Sequence, residues 1–101
     1  INIAGIKVAP FEIEAVLNEH PAVQESAVLG VDDEMYGEVV MAFVKLQTGP
    51  QPAQRELIKY LQGKLMNFQV PKQILNVDTF PRNTMGKIDK KALRAKLTVS
   101  H

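Results

Sequence analysis

The chain has 101 residues, 46% of them hydrophobic and 23% charged, with a net charge of +1 and no cysteine. That length holds one domain with one modest core, and the composition is that of an ordinary globular protein rather than a disordered tail or a fibre. Without cysteine there is no disulfide framework, thiolate nucleophile or cysteine zinc site, which suits a reducing cytoplasm, and the small net charge gives no overall field to gather nucleic acid or anionic membrane.

Residues 1 to 8, INIAGIKV, are mostly β-branched or apolar with Ala4 and Gly5 interrupting, a pattern for a short strand pair or a bent strand. Pro10 fits the first turn of a helix, where no backbone donor is needed, and Ile13, Val16, Leu17 and His20 follow at helical spacing up to Pro21. Ala27 to Val31, closed by Asp32 and Asp33, and Val39 to Leu46, closed by Thr48, Gly49 and Pro50, read as strands. The longest apolar run, Val39 to Val44, is too short for a membrane span. After the breaker QTGPQP, Leu57, Ile58, Leu61 and Leu65 predict a second helix, and Ile74, Leu75 and Val77 beyond Pro71 a third strand. A last, basic helix carries Ala92, Leu93 and Leu97. The expectation is an α+β domain: a three-stranded sheet flanked by about three helices, plus a short N-terminal strand pair. The chain opens at Ile1 within an apparently structured segment and shows no charged-then-apolar leader, so it is expected to be a piece of a longer protein.

Between the third strand and the last helix stands PRNTMGK, residues 81 to 87. A phosphate-binding P-loop places a glycine where Pro81 stands and a Ser or Thr where Ile88 stands, so the backbone donor and the magnesium-binding hydroxyl of that motif are both missing. What remains is a cation, Lys87, on a loop that Gly86 makes mobile, with Asp89 as an N-cap just beyond. A lysine ammonium suits a place between two anions, and one such contact at about 3 Å and an effective dielectric near 20 is worth about 5 kcal/mol before desolvation. The plainer reading of a lone Gly-Lys pair is a solvated turn.

The remaining candidates carry less chemistry. Arg82, Lys87, Lys90, Lys91, Arg94 and Lys96 place six of the twelve basic residues within fifteen positions, but no aromatic residue interleaves with them as nucleic-acid binding needs, and a solvated helix explains most of them. His20 and His101 have no partner at metal-ligand spacing, so no metal site is expected. Glu12 with Glu14, and Asp32, Asp33 and Glu34, do not form an acid–base pair, and neither Ser26 nor Ser100 has a histidine placed as a nucleophile motif would. Tyr36 and Gly37 read as a strand entry where the glycine relieves crowding.

Several stretches together carry a resemblance: GIKVAPFEIEAVLNEHPAVQESAVLGVDDEMYGEVVMAFV, then FQVPK, then FPRNTMGKIDKKALR. In this order they resemble the C-terminal domain of the adenylate-forming superfamily, which includes acyl-CoA synthetases, peptide-synthetase adenylation domains and luciferases. The resemblance implies that residues 1–101 are a single C-terminal lid domain, cut at or just after the interdomain hinge, whose partner is its own large N-terminal ATP-binding domain. It implies a soluble, cytoplasmic ligase of fatty acid or related carboxylic acid metabolism that uses ATP and coenzyme A, with Mg2+ arriving through ATP and the large domain. The acid is first converted to acyl-AMP, and a thiol then displaces AMP after a domain rotation. Lys87 falls on the family's adenylation lysine, and since Pro81 to Lys87 keeps the Pro-x-x-x-x-Gly-Lys pattern acetylated in some members, the resemblance also implies Lys87 as a candidate acetylation site. Gly5, and with it Ala4, falls beside the coenzyme A channel. Lys7 falls near the nucleotide phosphate or ribose and, beside Gly5 and Ala4, among the residues implied to contact coenzyme A. Gln69 stands where a lysine is common, which puts a phosphate contact from that position in doubt. The alternatives are a peptide-synthetase adenylation domain, which GKIDKKAL also resembles, and a non-enzymatic binding module that kept the fold; Lys7, where peptide synthetases more often have arginine, favours the acyl-CoA ligases.

Overall fold

The computed structural model describes residues 1–99; Ser100 and His101, and so the expectations placed on them, lie outside the described residues. The chain begins with Asn2–Ile3 (β1) and Ile6–Lys7 (β2), paired antiparallel around Ala4 and Gly5. Both turn residues have positive φ, 50° and 88°, as a two-residue type I′ hairpin requires. Pro10 opens α1, Pro10–Glu19, and His20 closes it in an extended conformation, its N–H donating to the Leu17 carbonyl at 3.0 Å. Two long strands follow, Val23–Asp33 (β3) and Gly37–Leu46 (β4), then α2 (Gln54–Gln62), a single 3-10 turn at Asn67–Gln69, β5 (Gln73–Asn76) and α3 (Lys90–Val99). Among these helices none is long and apolar enough to cross a membrane.

The antiparallel β3–β4 ribbon is the frame. Its residues are buried on both faces, which is why Ala27 to Val31 reads as an unbroken apolar run rather than an alternation. Val28, Val40, Ala42 and Val44 meet Ile13 and Leu17 of α1 and Leu57 and Leu61 of α2 on one face. Ala27, Leu29 and Phe43 meet Phe80 and Leu93 of α3 on the other. The result is three layers, helix on sheet on helix.

Compared with the sequence expectation, β3 runs on through Asp32 and Asp33, which pair with Glu38 and Gly37; at the solvated end of a hairpin their carboxylates need no burial. Asp33 Oδ2 then accepts the Met35 and Tyr36 N–H groups at 3.0 and 2.9 Å and closes the turn. The short N-terminal pair joins the main sheet through Ile3 opposite Gly37, and β5 adds to β4 in parallel, so one five-stranded sheet results.

The outer edge of β3 is covered by side chains. The Val28 N–H donates to Glu14 Oε2 at 2.8 Å, an oxygen that also accepts from Lys90 Nζ at 2.9 Å, and Arg94 Nη1 donates to the Gly30 carbonyl at 2.5 Å. Lys90 and Arg94 are therefore not simply solvated, as their sequence context suggests; they fasten α3 to a strand edge that would otherwise be open. Glu14→Ala leaves the Val28 N–H without its acceptor and is expected to lower stability by about 1–3 kcal/mol, whereas Lys90→Ala, which removes only a partly exposed ion pair, is expected to cost less than about 1 kcal/mol. Urea denaturation midpoints of the two variants check this; equal losses would assign the effect to the ion pair instead of the strand edge.

Candidate functional site

PRNTMGK folds as a hairpin of its own. Arg82 and Ile88 form a β-bridge, the Asn83 N–H donates to the Lys87 carbonyl at 2.9 Å, and the Gly86 N–H returns to the Asn83 carbonyl at 3.0 Å. Thr84, Met85 and Gly86 form the three-residue loop, with Gly86 at φ 83°, the left-handed position that closes such loops. Asn83 Oδ1 accepts the N–H groups of Met85 and Lys87 at 2.9 and 3.1 Å, an Asx turn that fixes the backbone on either side of Gly86. At the base the Asp89 N–H donates to the Pro81 carbonyl at 2.8 Å, and Asp89 Oδ1 caps α3 by accepting the Ala92 N–H at 3.1 Å. The mobile loop expected from Gly86 is thus a pinned one: the glycine satisfies a backbone angle, and its neighbours' hydrogen bonds define the conformation.

Lys87 itself is exposed, and its ammonium has no partner among the described residues. Met85, at the tip, is 78% exposed. The hairpin is tied to the sheet by Arg82, whose Nη2 donates to both carboxylate oxygens of Glu25 at 2.6 and 2.5 Å while its Nη1 donates to the Gly86 carbonyl at 3.1 Å. The loop therefore presents one unpaired cation on a rigid mount.

Ala4, Gly5 and Lys7 stand elsewhere. The Ala4 N–H donates to the Tyr36 carbonyl at 2.7 Å and the Gly5 N–H to Asn2 Oδ1 at 3.0 Å, so the N-terminal hairpin is held against the β3–β4 turn. A Cβ on Gly5 would meet nothing within 4 Å; inside this domain glycine is needed for its φ, and the space above it is open. Lys7 is exposed on β2, opposite Asn2. Glu25, the anchor of the Lys87 hairpin, pairs with Lys45 near one end of the β3–β4 ladder, and Gly37, which pairs with Ile3, lies at the other. Asp33 lies eight positions beyond Glu25, which at a rise of ~3.4 Å per residue puts about 27 Å of strand between the points where the two hairpins attach. The fold does not bring Lys87 together with Ala4, Gly5 or Lys7.

Beside the N-terminal hairpin lies a feature that sequence reasoning missed. β1 pairs with β4 only at Gly37, and β5 joins β4 only from Met41. The interval opens into a cavity of about 290 Å³ lined by Ile3, Tyr36, Val39, Phe68, Val70 and Lys72. Lys72 Nζ sits over the Tyr36 ring, 5.6 Å from its centroid, giving the apolar cavity a cationic rim. No local pattern announces this pair, since Tyr36 belongs to a turn and Lys72 follows a proline 35 residues on; only the FQVPK segment marked the region. Gln69 is engaged within the domain, its Oε1 accepting the Met66 N–H at 3.0 Å and its Nε2 donating to Glu12 at 3.2 Å. Among the described residues no three His, Asp or Glu side chains converge as a metal ion would need.

Residues 12–87 match the AMP-binding enzyme C-terminal domain. The chain is 45% identical over 94 residues to the fatty acid–[acyl-carrier-protein] ligase ScoC of Streptomyces coeruleorubidus, covering 93% of this chain and 18% of that protein. It is 42% identical over 93 residues to the mitochondrial malonate–CoA ligase ACSF3 of Homo sapiens, covering 92% of this chain and 16% of that protein. Among solved structures it is similar to ATP-bound MatB from Rhodopseudomonas palustris, with a TM-score of 0.90 and 38% identity over 95% of this chain and 19% of that one. The chain spans less than a fifth of the length of the curated relatives it matches.

Proposed function

Because the chain belongs to the family of AMP-binding enzyme C-terminal domains, we propose that it is the small lid domain of an AMP-forming acyl-CoA synthetase. Its main partner is then the larger ATP-binding domain of the same enzyme, which holds the acid substrate, ATP and the accompanying Mg2+. The observation that carries this reading is Lys87, an exposed and unpartnered ammonium on a pinned hairpin. In the first step a carboxylate oxygen attacks the α-phosphorus of ATP, the bond to pyrophosphate breaks, and acyl-AMP forms. Two anions must approach, and a lysine between them offsets their repulsion as charge builds. In the second step a thiol sulfur bonds to the acyl carbon, its proton is lost, and AMP leaves.

The second step needs no cation between anions but an open approach for a narrow thiol arm. Ala4 and Gly5 supply a surface without bulk, and the neighbouring cavity with Lys72 at its rim suits a long, partly apolar ligand bearing phosphates, as coenzyme A is. Lys7, on the adjoining strand, is placed to add charge to the same surface. Since about 27 Å of strand, at ~3.4 Å per residue, lies between the points where the two hairpins attach, no single orientation of this domain brings both to one acyl group, which supports a rotation between the steps. The exposed Lys87 ammonium is also open to acetylation, which would cancel the charge that adenylation uses; an acetylated Lys87 peptide in the native enzyme is its mass-spectrometric mark.

A second reading, with the thiol of a carrier protein as acceptor, is favoured by the 45% identity to a ligase whose acceptor is an acyl-carrier protein. The two readings part on which thiol discharges a preformed acyl-adenylate.

Two half-reactions measured separately on the full-length enzyme test the assignment. Lys87→Ala is expected to slow adenylation, followed by pyrophosphate exchange, about 10²–10³-fold, and to leave thiol transfer from supplied acyl-adenylate near normal; equal losses in both would remove Lys87 from this role. At Gly5 the informative change is to asparagine, which tolerates positive φ where a β-branched residue would add strain of about 1–3 kcal/mol. Gly5→Asn is expected to slow thiol transfer about tenfold or more, the scale of an obstructed approach, with adenylation unchanged. Normal transfer to coenzyme A in that variant would place the thiol channel elsewhere.

A further inference from the structure

We propose that Arg82, clamped by Glu25, is a positioning residue for Lys87: it holds the Gly86 carbonyl and, through that peptide, the backbone that carries the lysine. The inference rests on the adenylation reading of Lys87. Arg82 is engaged on two sides at once, its Nη2 with both oxygens of Glu25 and its Nη1 with the Gly86 carbonyl. A guanidinium offers five donors in one rigid plane, so a carboxylate that holds Nη2 constrains the direction in which the neighbouring Nη1 donates. Glu25 is itself set in the β3–β4 ladder, opposite Lys45, and it therefore relays the position of the sheet to the hairpin.

The hairpin's internal bonds cannot do this. Asn83 and the Arg82–Ile88 bridge define the loop's own shape, but a loop of fixed shape can still tilt about its base. Arg82 and Glu25 couple it to the ribbon 57 residues earlier in the chain. The pair is partly exposed, 42% and 27% at the side chains, and adds little to stability; its consequence lies in where Lys87 arrives. An error of about 1 Å at a reacting centre can cost on the order of 100-fold in rate.

The test uses the full-length enzyme with the two half-reactions read separately. Arg82→Gln is expected to lower the kcat of adenylation about tenfold or more, with KM for ATP and acid unchanged and thiol transfer from supplied acyl-adenylate normal. In the reversed pair, Glu25→Arg with Arg82→Glu, the ion pair is restored, but a carboxylate at position 82 cannot donate to the Gly86 carbonyl, so adenylation stays low. Adding Lys87→Ala to Arg82→Gln is expected to cause no loss beyond that of Lys87→Ala alone, because Arg82 acts through the lysine. Full recovery in the reversed pair, or losses that multiply in the double variant, would overturn the proposal. Should Lys87→Ala cripple adenylation while Arg82→Gln leaves it normal, the positioning role alone falls; should Lys87→Ala adenylate normally, both assignments fall.

Discussion

The β3–β4 ladder, running from Val23 opposite Leu46 to Asp33 opposite Gly37, is buried on both faces, and this constraint organises the rest of the molecule. A ribbon with two apolar faces must be covered twice. Leu57 and Leu61 of α2 and Ile13 and Leu17 of α1 cover one side, and Leu93 of α3 with Phe80 covers the other. With both faces closed and the outer edge of β3 capped by Glu14 and Arg94, little of the ribbon except its ends is left to present loops. Both candidate loops are there, one at each end. Their separation follows from strand length and is no more adjustable than the core itself.

On the proposed reading, stiffness has a consequence for catalysis at the Lys87 end. Ordering a lysine side chain costs up to about 2 kcal/mol of rotamer freedom, and ordering a slack loop beneath it would add about 1–2 kcal/mol for each residue fixed. Here the Asx turn at Asn83, the left-handed Gly86 and the Arg82 clamp have already fixed the backbone. Only the side chain remains to be ordered when it meets an anion. A pinned hairpin that ends in a free cation is therefore a better electrostatic device than the flexible loop that a glycine beside a lysine suggests.

What could be read from sequence was what local chemistry decides. Pro10 at a helix start, Leu57 and Leu61 four apart, and Asp89 before a basic helix each depend on residues within a turn or two, and each stands where its pattern puts it. Lys87 was legible as a cation on a loop for the same reason. The loop's rigidity was only half legible: Asn83 lies three residues before Gly86 and could have been read as a turn former, but Glu25 lies 57 residues from Arg82 and nothing in either neighbourhood points to the other. Two further features were hidden in the same way. β5 joins β4 in parallel, a choice set by how the chain returns and not by the composition of QILN. The Tyr36–Lys72 contact exists because β1 and β5 leave an interval on β4, which is a property of register. Asp32 and Asp33 show the opposite error, since their charge signals that the strand has already ended while the backbone ladder runs through both of them.

The N-terminal hairpin shows how the fold maintains a conformation that its sequence does not favour. Gly5 accepts a positive φ freely, but Ala4 at 50° carries a Cβ into the left-handed region, at a cost of about 1–2 kcal/mol. The bonds from the Ala4 N–H to Tyr36 and from the Gly5 N–H to Asn2 offset that cost, and the first of them depends on the β3–β4 turn that Asp33 closes. One end of the ribbon thus fixes a small, side-chain-poor turn, and the other fixes a long cation. On the proposed reading, one end serves the attack of an oxygen on phosphorus and the other the attack of a sulfur on carbon. A rigid body that carries both cannot bend to offer them together, so presenting either withdraws the other. Which of the two chemical steps the domain serves would then follow from the orientation of the whole domain rather than from any change within it.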